Sequence, residues 1–386
     1  MRILPDVPEP ILYNLGCKVN RYEGECLLRY FEEKKKRVVI VNTCVVTRTA
    51  QQKSKRLIRR IQRLHPDREI IATGCLEFYQ IPPGVTWLTM AEKESISECY
   101  LPLTQRSRYY LKIEDGCDRG CHYCVVARIR GRPRSKPIER IVQEISYAKE
   151  VGFAEVVLVG VNLGRYRGGL PFLLSQLGKL PDLPRIRFSS LEPDAITWDL
   201  IERIRDLPIA PHIHLSLQHT EARVLESMGR EVVALDRIFS LITKIPEVNI
   251  GADLIVGYPT EGKREFETLV RRVEELPLVY LHVFPFSPRP KTPAAQLPDS
   301  VPMSIKRERV AILRSLSRKK RDSYWRRFLG RTLPAVVEPH NGTYYGLTGN
   351  YLRIRLSEPI GARSVLVRID RLEGDELIGS CRCVTS

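Results

Sequence analysis

The chain has 386 residues, enough for two or three domains with separate cores, and its composition is that of a globular protein. Lys and Arg number 62 against 45 Asp and Glu, a net charge of +17 that favours a polyanion such as nucleic acid over an acidic protein or a neutral metabolite. No apolar run is long enough to span a bilayer, MRILPDVPEP has prolines where a signal peptide needs an apolar stretch, and ten cysteines without a secretory signal argue against a disulfide framework, so a cytoplasmic protein without membrane contact is expected.

Three strand-like runs open the chain, and each ends in or beside a cysteine: ILYNLGC with Cys17, VVIVNTC with Cys44 and EIIATGC with Cys75. If they are parallel strands joined by the intervening helices, all three thiols arrive at one edge of one sheet and can share a metal cluster. Gly16 and Gly74 precede two of them, where the backbone must bend around a bulky inorganic group. A single such thiol is ordinarily a small apolar core group; three in register are not. Cys26 and Cys99 lack this placement, and Cys381 and Cys383 share one strand face as packing residues. Between the second and third cysteines, KSKRLIRRIQRLHP reads as a helix with Leu57, Ile61 and Leu64 as its apolar stripe and Lys53, Arg56, Arg60 and Arg63 on a neighbouring face.

Next in the chain, GCDRGCHYCVV sets Cys117, Cys121 and Cys124 on one short loop with no fourth cysteine nearby. A closed structural zinc site needs four ligands, so three thiolates leave a metal open; His122, between two of them on a tight loop, is a poor fourth ligand. Six β-rich runs then alternate with helical stretches: YYLKIED, EVVLVGVN, RIRFSSL, HIHLSLQ, NIGADLIVG and VYLHVFPFS. That alternation predicts a parallel sheet, and the cysteine loop begins where the first run ends, at Asp115, the end of such a sheet at which ligands bind.

The stretch RSLSRKKRDSYWRRF, residues 314 to 328, crowds basic groups into a link, with Tyr324 and Trp325 placed either to stack on bases or to pack. From Phe328 onward, short alternating strands punctuated by Gly, Asn and Asp predict a small antiparallel barrel.

The spacing of Cys117, Cys121, Tyr123 and Cys124 resembles the signature of the radical S-adenosylmethionine (SAM) enzymes. With LGCKVNRYEGE, VNTCVVT and ATGC before it and VGVNLG, SSLEP, HLSLQ, IVGYPTE and HVFPFSPRPKTPA after it, the chain resembles nearly end to end the methylthiotransferases of that superfamily. The resemblance implies an N-terminal parallel α/β iron-sulfur domain over 9–105, a partial (β/α)6 radical SAM barrel over 106–327 and an OB-like TRAM β-barrel for RNA over 328–386. It implies two 4Fe-4S clusters, on Cys17, Cys44 and Cys75 and on Cys117, Cys121 and Cys124, the open iron of the second chelated by SAM, with Tyr123 packing near the adenine. Cleavage of that SAM gives a 5′-deoxyadenosyl radical, while a second SAM methylates sulfur at the first cluster. Polar residues at strand ends are candidates to hold SAM: Asn162, Ser190, Glu192, Gln218 and Asp253.

The wording GCKVN and HVFPFSPRP is nearest to the branch that methylthiolates C2 of N6-threonylcarbamoyladenosine at position 37 of tRNA, next to the anticodon. The sister branches act on isopentenyladenosine in tRNA or on an aspartate of a ribosomal protein, and both stay open, as does a non-catalytic RNA-binding protein with structural metal sites. A reducing donor such as flavodoxin or ferredoxin is implied, and a monomer is expected. The chain departs from the family pattern in three places. VVARIRGRPRS keeps Arg130, Gly131 and Arg132 but lacks the usual Pro-Tyr pair after Cys124; His219, Thr220 and Glu221 replace a Ser-Gly-Ser run; and the segment between Cys17 and Cys44 is short.

Overall fold

The structure is a computed structural model that describes residues 9–76, 80–104, 106–298, 300–358 and 360–384, with side chains as far as Arg382; that of Cys383 lies outside them. At the N-terminus, β1 (Ile11–Asn14), α1 (Lys18–Glu33), β2 (Val38–Thr43), α2 (Arg48–Leu64), β3 (Glu69–Gly74), β4 (Thr86–Trp87) and α3 (Met90–Cys99) build a parallel sheet in the order β1-β2-β3-β4. The VVIVNT strand is buried along its whole length, as a parallel strand covered on both faces must be. The sequence reading did not include β4, which at two residues is too short to carry a pattern. The apolar stripe of α2 also differs from expectation: Ser54, Ile58 and Ile61 face the core, with Leu57 at its margin, whereas Leu64 in the last turn is 54% exposed. The basic face is as expected, with Lys53, Arg56, Arg60 and Arg63 exposed together with Arg59.

The middle of the chain runs β5 (Tyr109–Lys112), β6 (Glu114–Asp115), α4 (Val126–Arg130), β7 (Arg134–Ser135), α5 (Ile138–Glu150), β8 (Glu155–Val159), α6 (Gly169–Leu177), β9 (Arg185–Phe188), β10 (Ser190–Leu191), α7 (Trp198–Asp206), β11 (His212–Gln218), α8 (Ala222–Ser227), α9 (Leu235–Ile242), β12 (Asn249–Val256), α10 (Lys263–Glu275), β13 (Tyr280–Pro285) and α11 (Met303–Arg326). All six expected runs are strands, in two parallel sheets, β5-β8-β9 and β10-β11-β12-β13. The RIRFSSL run is split into β9 and β10 at Ser189, whose amide donates to the Leu158 carbonyl at 2.9 Å, and a parallel bridge between Ile186 and Ile209 carries the sheet across the split. Among the described residues no ladder joins β5 to β13, so the barrel is open.

Alternation along these strands decides what each face meets. Tyr109, Leu111, Val156 and Leu158 face outward into the large core shared with the surrounding helices. Tyr110, Val157 and Val159 face inward, where they pack against Val19, Tyr22 and Cys26 of α1. The first helix of the N-terminal unit therefore packs into the concave side of the open barrel over β5 and β8, and Cys26 is a core thiol.

The C-terminal strands β14 (Thr332–His340), β15 (Thr343–Thr348), β16 (Arg353–Leu356), β17 (Ser364–Glu373) and β18 (Glu376–Val384) close into a barrel in the order β14-β15-β16-β18-β17. Its ladders are antiparallel except that between β16 and β18, which is parallel, a correction to the all-antiparallel expectation. Tyr324 is buried in the core of this barrel and donates to the Glu247 carbonyl at 2.6 Å, which settles its role as packing; Trp325 lies beside it under Arg321. The barrel caps the amino ends of the middle strands. Glu155, fully buried at the start of β8, takes Arg185 at 2.6 Å and Arg187 at 2.7 Å; Arg187 also donates to the Thr348 carbonyl, Arg108 bonds Glu338 at 2.7 Å, and Tyr351 stacks on His212 with centroids 4.1 Å apart.

Candidate active site

The N-terminal triad sits at the carboxyl ends of three parallel strands. Cys44 and Cys75 directly follow β2 and β3, and Cys17 lies at the N-cap of α1 just past β1. Side chains from the same unit fix these strand ends. The amide of Asn20 donates to the carbonyls of Leu15 (3.2 Å) and Thr43 (2.9 Å), and the Ser54 hydroxyl accepts from the Cys44 amide (3.1 Å) and donates to its carbonyl (2.8 Å). The Thr43 carbonyl also takes the Cys75 amide at 3.1 Å. Gly16 and Gly74 both have φ of +100°; a Cβ on Gly16 would stand 2.9 Å from Cys44 Cβ, and one on Gly74 2.5 Å from the Thr43 carbonyl oxygen. The glycines let the loops close on one another, as their sequence positions suggested. Burial pushes the Cys44 thiol up to about 11 and raises that of Cys75.

The second triad occupies the loop between β6 and α4. Cys117 is tied back by its amide to the Gly131 carbonyl (2.9 Å), and Cys124 by its amide to the Cys121 carbonyl (3.0 Å). His122 is a pillar of this loop rather than a ligand. Its amide donates to the Met228 carbonyl, its Nδ1 lies 2.9 Å from the Ser227 carbonyl, and its ring lies where a Cβ on Gly229 would meet it at 2.7 Å. Tyr123 packs with Met228, Tyr258 and Phe286. Burial pushes the Cys124 thiol up to about 11.

Two of the strand-end candidates, Asn162 and Glu192, gather around this loop. The Asn162 side chain is 4.0 Å from Cys117 Sγ, and the Asn162 backbone N–H donates to Glu114, whose carboxyl burial pushes up to about 8. Glu192 is bound by Arg230 at 2.5 Å, and Gln218 ends β11 with φ of +67°. Arg230 was not found from sequence, because it follows α8 without any motif around it. Its guanidinium nevertheless reaches Cys121 Sγ (3.6 Å), the Tyr123 hydroxyl (3.4 Å) and the Ser216 carbonyl (2.6 Å) as well as Glu192. Asp253 and Ser190 have other neighbours. Asp253 is inside β12, three residues short of its end, bonded to His214 Nε2 (3.0 Å) and His282 Nδ1 (3.2 Å), while Ser190 pairs with His214 in register.

A buried network joins the two triads. The Arg130 guanidinium, one turn after the second triad, meets Glu23 (2.9 and 3.1 Å), Asp115 (2.9 and 3.0 Å) and Asn20 (2.5 Å). Lys112 and Lys93 complete the charge on Glu23 at 3.0 and 2.6 Å. Asn20 holds the strand ends at the first triad, and Asp115 accepts the amide of Gly116, next to Cys117. Val125 and Ile129, within the run that departs from the family pattern, pack with Cys75 and Val45 in the N-terminal core, so this departure supplies apolar contact across the same junction. His219, in the second departure, is fully buried, with Nε2 3.4 Å from Glu261.

Residues 11–80 match the family described as uncharacterized protein family UPF0004, and residues 111–273 the radical SAM superfamily. The threonylcarbamoyladenosine tRNA methylthiotransferase MtaB of Rickettsia prowazekii is 31% identical over 90% of this chain and 91% of its own length. The chain belongs to the radical SAM methylthiotransferases. Its relative of the same name from Aquifex aeolicus is 32% identical over 88% of this methylthiotransferase and 95% of its own length, and a tRNA-2-methylthio-N(6)-dimethylallyladenosine synthase of Thermodesulfovibrio yellowstonii is 28% identical over 93% and 96%. In fold, it is similar to the radical SAM methyltransferase TsrM from Kitasatospora setae, with a TM-score of 0.52 at 15% identity, covering 70% of this chain and 68% of the other.

Members of this family use SAM and 4Fe-4S clusters, and the donor sets fit them. Among the described residues, the one set of three His, Cys, Asp or Glu donors within 4.8 Å of one another is His214, Asp253 and His282. Both thiol triads are therefore more open than a single-ion site, and each lacks a fourth cysteine, as a cluster with one free iron requires.

Proposed function

We propose that this methylthiotransferase acts on tRNA, replacing the hydrogen at C2 of N6-threonylcarbamoyladenosine at position 37 by a methylthio group. The observation that carries the reading is the pairing of two three-thiol sites across one buried guanidinium, in a chain whose end-to-end relatives are named for that reaction. Cys17, Cys44 and Cys75 would hold one cluster and Cys117, Cys121 and Cys124 the other, with Tyr123, Asn162, Ser190, Glu192 and Gln218 around the SAM of the second. When bound, the clusters and SAM supply the radical chemistry and the methylthio group. A C2–H bond of an aromatic base is too weakly acidic for a side-chain base to deprotonate, so the protein's own work is placement and exclusion of water. Arg230 orients the radical loop by holding Glu192 and the Ser216 carbonyl while its other nitrogen faces Cys121 and Tyr123. Arg130 fixes the separation of the two loops.

The division at 9–105, 106–327 and 328–386 belongs to this reading, as does RNA binding by the TRAM-like barrel. The exposed bases Lys53, Arg56, Arg59, Arg60 and Arg63 of α2 and Arg314, Arg318 and Lys319 of α11 are available to neutralise phosphates. A flavodoxin or ferredoxin as reductant, a monomeric enzyme and a cytoplasmic location complete it. No helix among the described residues is long and apolar enough to cross a membrane.

The test is mass spectrometry of tRNA nucleosides after anaerobic incubation of the reconstituted enzyme with reductant, SAM and tRNA carrying threonylcarbamoyladenosine. A methylthio gain on that nucleoside supports the reading. SAM cleavage with no gain, and a gain instead on isopentenyladenosine or a ribosomal protein, overturns the substrate. Binding of tRNA is expected to weaken steeply with salt, and a flat dependence would count against the basic faces.

A further inference from the structure

α1 packs into the concave side over β5 and β8, and the inward faces of β11, β12 and β13 lie outside that contact. On β13 the inward residues are Tyr280, His282 and Phe284, alternating with Leu281 and Val283, which belong to the outer core. His282 and Phe284 are 56% and 43% exposed, so this wall is open to a ligand. Asp253 aligns two imidazoles: His214 is fully engaged, by Asp253 through Nε2 and by the Tyr280 hydroxyl through Nδ1 at 2.9 Å, while His282 bonds through Nδ1 and its Nε2 has no partner among the described residues. Lys18 is the first residue of α1 and the neighbour of Cys17. Its ammonium is in the electrostatic reach of Asp253, Arg108, Arg187 and His212, and it makes no hydrogen bond or ion pair among the described residues.

A half-buried lysine within electrostatic reach of Asp253, the carboxylate that fixes the His282 imidazole beside an open aromatic ring, suits a planar base that carries an anionic substituent. It does not suit an apolar isoprenoid tail, which would leave Lys18 desolvated without compensation. We propose that Lys18 and His282 form the subsite that recognises the carboxylate of an amino-acid substituent on the target base, and so set substrate specificity. This rests on the substrate reading above, since threonylcarbamoyladenosine carries such a carboxylate and isopentenyladenosine does not. Asp253 acts as a positioning residue that aims the His282 ring.

The experiment compares equilibrium binding by the reconstituted holoenzyme, without reductant, of three forms of one tRNA: with threonylcarbamoyladenosine, with its carboxylate converted to the methyl ester, and with plain adenosine at that position. Methylthio product is measured in parallel. The wild type is expected to prefer the free carboxylate over the ester by about tenfold or more, Lys18→Gln to lose that preference, and Lys18→Arg to keep it. His282→Leu, on β13 and adjacent to no cysteine in sequence, should weaken the preference with iron content unchanged, and it decides the matter if Lys18→Gln disturbs the neighbouring Cys17 cluster. Product on the threonylcarbamoyl tRNA with the preference intact in both Lys18→Gln and His282→Leu overturns the subsite and leaves the substrate reading standing. A wild type that discriminates among none of the three forms overturns the subsite as well. Product on isopentenyladenosine alone overturns the substrate reading and the subsite together.

Discussion

The two cysteine triads are built on opposite plans. Cys117, Cys121 and Cys124 share one loop whose backbone is closed by its own neighbours and by Met228, whereas Cys17, Cys44 and Cys75 come from three strands and meet only because β1, β2 and β3 are parallel and in register. The first plan is a property of a short peptide. The second is a property of a folded sheet, so its integrity depends on every interaction that holds that sheet and α1 in place.

The largest expected effect breaks the comparison at the thiols themselves. Cys124→Ala should abolish both reductive SAM cleavage and methylthio product, and Cys17→Ala should abolish product while SAM cleavage remains measurable as 5′-deoxyadenosine. Product at the native rate from Cys17→Ala would show that the triads do not divide the work. Next is the residue that joins them. Arg130→Gln leaves Glu23 and Asp115 buried without their shared guanidinium and should destabilise the protein by about 3–5 kcal/mol in chemical denaturation. In those molecules that fold, 5′-deoxyadenosine should form in excess over product, because both loops lose a common anchor.

A third test concerns α1, which begins at Cys17. Burial raises the Glu25 carboxyl to about 7 from an ordinary value of 4.5. A carboxyl raised in the folded state binds its proton more tightly there, so this residue is neutral to stability below about pH 4.5 and opposes folding increasingly up to about pH 7. Glu25→Gln should therefore stabilise by roughly 1–3 kcal/mol at pH 8 and have little effect near pH 4, read from thermal melts. The smallest effect is the most selective. Ser54→Ala removes both hydrogen bonds to the Cys44 backbone, a loss of about 1–2 kcal/mol, and should lower iron retention by the first triad in a Cys117→Ala background while leaving that of the second unchanged in a Cys17→Ala background.

The same contrast explains what the sequence made legible. The radical loop was readable because its ligands are local, and the six barrel strands because each is a continuous apolar run. The N-terminal triad needed an assumption about parallel pairing, which the registers of β1 to β3 meet. The α2 stripe was misplaced because Leu64 falls in the last turn, where the helix has left the sheet and Ile58 takes its place in the core. Arg230 lies in no motif, and although Lys18 and His282 stand within GCKVN and HVFPFSPRP, their setting comes only from chain segments far apart in sequence. Asp253 was noticed for its strand but not for its two histidines, which lie on the strands either side.

The junction beneath the barrel has a consequence for how the chain is made. Synthesis from the N-terminus releases Glu155 and its arginines long before Thr348 and Tyr351, so the nascent enzyme carries an uncapped, strongly cationic opening at the amino ends of its strands until the last segment emerges. During that interval the ribosome, itself an RNA surface, is the nearest polyanion. A stop codon before β14 would make this transient state permanent, leaving a protein that holds both sets of thiols and has no floor.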